Sequence, residues 1–267
     1  MKYNKDDFEI VGTTLTRCYI MKRDVVIPDG VTEIDEQVFK GRDNIPSVVI
    51  PDGVTKISDY AFEGCKNLWR VVIPDSVTEI GDHAFWGCKK LSNIVIPDSV
   101  KKIGPDAFNG CESLKSIVIP DGLEEVGSCA FANCGFVEVK FKNQAHWGIP
   151  KIVDYLFAGC NNLKSIVLPD DVEFIDEHAF QECKSLREIN LSNVRIVADY
   201  AFWGCKKLKS IELPEHFAGF GTWALRDCKS LTNIKFAGTE EQWENIDNAH
   251  GWKEGANKNC KIEFAKK

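Results

Sequence analysis

Eleven cysteines, five histidines and 40 acidic side chains in 267 residues could support thiol or disulfide chemistry, a metal centre, or acid–base catalysis. Spacing decides among these. Cys65, Cys88, Cys111, Cys134, Cys160, Cys183, Cys205 and Cys228 follow one another at intervals of 23, 23, 23, 26, 23, 22 and 23 residues. A zinc site needs four ligands converging at bond distance, usually in C-x-x-C pairs, and the chain has no such pair. Residues at equivalent positions of successive coils point the same way instead of converging. Rungs about 5 Å apart fall in the Cα range of a disulfide, but parallel Cβ vectors fit its dihedral poorly. The eight cysteines therefore read as a reduced packing ladder, each a small buried hydrophobe. Cys18, Cys129 and Cys260 lie outside it. Cys129 replaces Tyr60 or His83 at a more exposed position, which makes it the thiol to watch for reactivity.

The other chemistry-bearing residues keep the same beat. Asp29, Asp52, Asp75, Asp98, Asp121 and Asp170 form a row, yet calcium wants about 6–8 converging oxygens. One carboxylate per coil is explained by turn formation. His83 and His178 share a slot with Tyr60, Tyr155, Tyr200 and Trp223, before an Ala-Phe pair or its variant, and read as partly buried packing. There is no nucleophile elbow, phosphate-binding glycine loop or H-E-x-x-H. The expectation is no enzyme activity, no metal and no cofactor; a thiol or hydrolytic activity around Cys129 or His146 is the weakest alternative.

What positions these residues is a repeat. Ile-Pro-Asp begins at Ile27, Ile50, Ile73, Ile96 and Ile119, always 23 residues apart, and returns as Leu168-Pro169-Asp170 and Leu213-Pro214-Glu215. Arg42, 23 residues before Cys65, marks a copy without cysteine, which gives nine copies. In Cys88 to Gly110, Leu91, Ile94 and Ile96 alternate near period 2 and predict a short strand with those residues inward. Proline ends the ladder, Asp-Ser makes a turn, and Val100, Ile103, Ala107 and Phe108 supply the apolar positions of a return path. That path is too short for a long helix, so extended segments and 3₁₀ turns are expected. One coil cannot bury its inner residues alone; stacked coils can.

The pattern C-x-x-L-x-x-I-x-I-P-x-x-V-x-x-I-x-x-x-A-F-x-G, best preserved in Cys65–Gly87 and Cys88–Gly110, resembles the BspA-like bacterial leucine-rich repeats. The resemblance implies a right-handed curved solenoid with a parallel β-sheet on its concave face, extended or 3₁₀ segments on the return path, and caps at both ends. It also implies a non-enzymatic protein that binds other macromolecules, often as a bacterial surface protein or adhesin. The organisation expected is an N-terminal capping hairpin over 1–26, the repeats over 27–237 and a C-terminal cap over 238–267. Trp243 and Trp252 read as plugs of that cap.

Composition bounds the partner. With 33 basic and 40 acidic side chains the formal charge is −7, against nucleic acid as the main ligand. No apolar run approaches the roughly 18–20 residues of a membrane helix. Asp6, Asp7 and Glu9 interrupt the stretch a secretory signal would need, so the chain is expected to be cytoplasmic, or a surface protein without its leader. What remains is surface. Arg70 and Val72, Asn93 and Val95, Ser116 and Val118, and Glu138 and Lys140 are expected to face outward on the concave sheet. Val49, Val72, Val95 and Val118 would form an apolar stripe, the mark of a protein or glycan contact or simply of strand propensity. The spacing breaks once, at the insertion 143–148, where His146 and Trp147 are the single-copy candidates for a specific contact; a drifted repeat is the plainer reading.

Overall fold

The computed structural model describes residues 5–21 and 23–265, so residues 1–4 and 22 of the expected N-terminal hairpin and residues 266–267 of the expected cap lie outside the described residues. Two compact units, Met1–Gly135 and Phe136–Lys267, divide the chain. Each is a parallel-sheet β-solenoid.

The coil Cys65–Gly87 shows how the residues build it. Leu68, Val71 and Ile73 are buried around the strand Arg70–Val72. Pro74 follows, and beyond the turn Val77 and Ile80 point inward on a second strand, Glu79–Ile80. Ala84, Phe85 and Cys88, all fully buried, close the third side.

In the first unit the strands Val25–Val26, Ser47–Val49 and Arg70–Val72 pair in parallel, with Val26 opposite Val49 and Val49 opposite Val72. Pairing then shrinks to one bridge, Arg70 to Asn93. The second sheet begins with an antiparallel hairpin, Phe8–Val11 against Thr14–Cys18. It continues in parallel through Glu33–Ile34, Lys56–Ile57, Glu79–Ile80, Lys102–Ile103 and Glu125–Val126. In the second unit the strand face comprises Ser165–Ile166, Glu188–Asn190, Ser210–Leu213, Asn233–Phe236 and Lys261–Phe264. Its second sheet comprises Lys151–Ile152, Phe174–Ile175, Ile196–Val197 and Gly219–Phe220.

On the return path the extended segments pair into that second sheet, and i→i+3 hydrogen bonds such as Glu63 N to Tyr60 O and Cys65 N to Phe62 O make the turns; among the described residues 3₁₀ helix is confined to Lys5–Asp7. The third side is a chain of separate turns because two residues per coil are left-handed. One position holds Gln37, Tyr60, His83, Asp106, Cys129, Tyr155, His178, Tyr200 and Trp223 at φ between +54° and +63°. Four residues on, the second holds Gly41, Gly64, Gly87, Gly110, Gly159 and Gly204 but also Asn133, Glu182 and Asp227. A left-handed side chain costs about 1–2 kcal/mol. In return the alternation turns every second amide toward the next coil: Tyr60, Phe62 and Gly64 donate to the carbonyls of Asp82, Ala84 and Trp86 at 2.8, 2.8 and 2.7 Å. Coils are thus hydrogen-bonded on all three sides.

Two ladders fill the interior. In the first unit Phe39, Phe62, Phe85, Phe108 and Phe131 stack at 4.8–5.4 Å; in the second, Phe157, Phe180 and Phe202 stack at 5.6 and 5.3 Å. Such near-parallel pairs add to their area burial. The thiols of Cys65, Cys88, Cys111 and Cys134 donate to the carbonyls of Phe39, Phe62, Phe85 and Phe108 at 2.9–3.4 Å. Cys183, Cys205 and Cys228 repeat the contact in the second unit at 3.2–3.3 Å. In the copy without cysteine the Arg42 guanidinium donates to the Ile20 carbonyl at 3.1 Å.

At the C-terminal end, Thr239 caps the helix Glu240–Glu244 through a reciprocal box with Gln242, as Thr-Glu-Glu-Gln predicts. The Trp252 ring stacks on Phe220 at 4.7 Å and Trp243 meets Phe236 edge-on at 5.3 Å. Both indoles pack against coil residues.

Candidate functional site

Inward alternation leaves the intervening strand residues outside. In the first unit Arg70, Asn93 and Ser116 are exposed, as expected. The valine row is uneven: Val49 and Val72 are half-buried, whereas Val95 and Val118 are 73% and 51% exposed. Val49 and Val72 lie in the hydrogen-bonded three-stranded sheet, and Val95 lies beyond the bridge at Asn93. Val26 and Trp69, which the sequence reading left out, are also exposed. The four-residue strand Ser116–Ile119 carries Val118.

In the second unit Glu138 and Lys140 are exposed on one strand and paired with each other at 3.2 Å. Farther along, Glu212 pairs with Lys235 at 2.8 Å. These two residues, with His216, Phe236, Glu263 and Phe264, line an open groove of about 560 Å³. That groove carries no single-copy signal, since each of these lining residues sits at an ordinary strand or turn position.

The insertion 143–148 is an ordered turn. The Asn143 side chain accepts from the amides of Ala145 and His146 at 3.1 and 3.3 Å. Asp171 then clamps the loop, accepting from Trp147 N at 2.9 Å and Gly148 N at 2.8 Å, with the His146 Nδ1 at 2.8 Å. Partial burial works to raise the Asp171 pKa, but the amides of Gly148 and Trp147 and the His146 ring outweigh it and hold the carboxyl below its ordinary value. The clamp parts the two candidates. The His146 side chain is exposed, whereas Trp147 is only 3% exposed and edge-on to Phe141 at 5.0 Å. In this conformation Trp147 belongs to the core, and only His146 can meet a partner. Asp171 escaped the sequence reading; its signal is the doubled acid of Pro169-Asp170-Asp171, where other copies have Asp followed by Gly or Ser.

Among the described residues no three His, Cys, Asp or Glu side chains form a metal-sized group. Burial, then neighbouring thiols, push the Cys88 and Cys111 pKa values well above the ordinary 9.0, and burial raises Cys183 to about 12, the opposite of what a reactive thiolate needs. Cys129 is half-buried at its left-handed position. His83 stacks on Tyr60 at 5.0 Å, and His178 lies between Tyr155 and Tyr200 at 4.3 and 4.6 Å. No helix of the described residues is long and apolar enough to cross a membrane.

Comparison with known proteins agrees with this geometry. A family model described as a BspA type leucine rich repeat region matches residues 15–146 and 150–250, in six copies. A leucine-rich repeat protein from Bacteroides ovatus aligns over 99% of this chain and 91% of its own at 22% identity and a TM-score of 0.59. The leucine-rich repeat protein of T. pallidum aligns over 96% and 100% at 26% identity and a TM-score of 0.52. The pneumococcal vaccine antigen PcpA aligns over 99% and 88% at 18% identity and a TM-score of 0.55. No curated protein matches the sequence.

Proposed function

This chain belongs to the BspA-type leucine-rich repeat family, and from that premise we propose that it is a non-enzymatic binding scaffold whose strand face engages a protein or glycan partner. The observation that carries the reading is the outward valine row of the first unit, Val26, Val95 and Val118 exposed with Val49 and Val72 half-buried among them. Apolar strand residues gathered on one face and edged by Arg70, Asn93 and Ser116 have the composition of an interaction patch, an apolar centre with a polar rim. In the second unit His146 is a separate, single-copy polar contact, held outward by Asp171. The pneumococcal relative is a vaccine antigen by name, which favours a surface or adhesin-type setting here. The competing reading, a spacer without a ligand, gains from the valines' fitness for any strand.

The test replaces Val72, Val95 and Val118 by lysine. The variant is expected to keep its far-UV circular dichroism and to lose capture of the partner that wild-type protein retains. Full retention of that partner by a folded variant would refute the site. Light scattering across concentration addresses the spacer reading: oligomers that form through this face and dissolve in the lysine variant would replace a foreign partner with self-association.

A further inference from the structure

Exposed charge is mostly paired in both units. In the first, charged rows alternate in sign along the stack. The second sheet presents Glu33, Lys56, Glu79, Lys102 and Glu125 in register, with Lys56–Glu79 at 3.0 Å and Lys102–Glu125 at 3.2 Å. At the corner after the cysteine, Lys66 pairs with Asp43 at 3.9 Å and Lys89 with Glu112 at 2.8 Å. A stacked repeat needs this alternation, because like charges on adjacent rungs about 4.8 Å apart repel.

Four residues after the cysteine, where the first unit has Trp69, Ser92 and Lys115, the second unit carries three cations in a row. Lys164, Arg187 and Lys209 occupy one position on three successive coils, joined rung to rung by Arg187 N to Lys164 O at 2.9 Å and Lys209 N to Arg187 O at 2.8 Å. Lys206 and Lys207 lie in the adjoining turn. All five side chains are exposed, and none forms an ion pair among the described residues. Lys184 and Lys229, in the same corner, are each taken up by an acid, Glu182 and Asp227. The nearest strand position carries one carboxylate, Glu188, between Ser165 and Ser210. A basic row that folding does not neutralise, on a chain of net charge −7, calls for an external anion.

We propose that the corner formed by Lys164, Arg187, Lys206, Lys207 and Lys209 binds a linear anionic glycan, sulfated or rich in uronic acid, laid along the stacking axis. The row repeats at rung spacing, and a pyranose in an extended chain is close in length to one rung. An extended acidic peptide fits less well, since carboxylates on one face of a strand recur about every 6.6 Å and fall out of step. Single-stranded nucleic acid wants open aromatic faces, and on the third side of this unit His178 is stacked between Tyr155 and Tyr200. The proposal deepens the reading of the repeats as a binding scaffold and uses different side chains from the valine row.

The probe is immobilised heparin at about 0.15 M salt. Wild-type protein is expected to bind, and Lys164→Ser/Arg187→Ser/Lys209→Ser to bind at least ~10-fold more weakly with a shallower salt dependence, as loss of counterion release requires. Circular dichroism and the thermal midpoint of that variant should be unchanged or improved, because repulsion is relieved. Removing three first-unit lysines instead, Lys66, Lys89 and Lys90, is expected to change binding less than about twofold, and an equal loss there would overturn the site. So would wild-type protein passing through unretained. Equal or tighter binding to single-stranded DNA or poly-L-glutamate would overturn the glycan assignment. The valine variants retain heparin binding if both proposals hold, so failure of one is distinguishable from failure of the other.

Discussion

Raising the pH above 9 attacks the cysteine ladder where it is most constrained. Cys88, Cys111, Cys183, Cys205 and Cys228 are fully buried, and burial first of all pushes each thiol above its ordinary 9.0. An unfolded chain releases these protons near pH 9, whereas the folded chain holds them, for Cys183 to about 12. Stability is therefore complete below pH 9 and falls as pH rises toward the folded values, since the unfolded state then binds fewer protons. One unit above 9 the loss is about 1.4 kcal/mol per thiol. The three thiols of the second unit then cost about 4 kcal/mol at pH 10 and the two of the first about 3 kcal/mol, large shares of the 5–15 kcal/mol typical of a domain. Far-UV circular dichroism should begin to fall above about pH 10, with thiolate absorbance rising in the same transition. Cys183→Ala should make the collapse of the second unit less steep by one proton. Thiolate beyond what the cysteines outside the ladder can supply, appearing near pH 9 while the dichroism stays native, would refute burial of the ladder.

Three further outcomes follow from particular contacts. Phe85 stacks on both Phe62 and Phe108, so Phe85→Ala should cost about 3–5 kcal/mol in urea unfolding; a loss under about 1 kcal/mol would mean the ladder can collapse around the gap. Glu182 holds a left-handed φ of +57° where most coils have glycine. Glu182→Gly should stabilise by about 0.5–1 kcal/mol, strain relief exceeding the entropy returned to the unfolded chain and the surface pair lost with Lys184, and a lowered thermal midpoint would count against the strain. Asp171→Asn should cost about 1 kcal/mol at pH 7 and expose the 143–148 loop to proteolysis. Because the Asp171 pKa is depressed in the folded state, the gap between wild type and variant should close as pH falls below 4; a gap that persists in acid would assign the clamp to packing.

The repeat was legible because its period is carried by side chains that must be buried. Leu91, Ile94 and Phe108 announce an interior face by polarity alone, and the eight cysteines repeat it independently. What the sequence concealed is backbone. Tyr60, His83, Asp106 and Cys129 share no polarity, size or charge, so a row of unlike residues looked like permissive packing. Their common property is a left-handed φ, which leaves no mark in composition unless glycine takes the position, as it does four residues later. The second sheet was hidden for a related reason: its strands are two residues long, as in Lys56–Ile57, too short for alternation to register.

The same logic sets where function can be sought. A residue in every copy is explained by the stack, so information about a partner resides in departures from the period, and these differ in what they reveal. Trp147 departs from the repeat and is consumed by the core, filling space beside Phe141. Asp171 departs and is consumed by the loop amides. The cations Lys164, Arg187 and Lys209 stand on adjacent rungs at a position that holds Trp69, Ser92 and Lys115 in the first unit, and among the described residues no acid pairs with them. A row that costs the stack repulsion and returns no internal contact is hard to explain by folding, and that asymmetry makes the basic corner, ahead of the more conspicuous tryptophan, the place to look for a ligand.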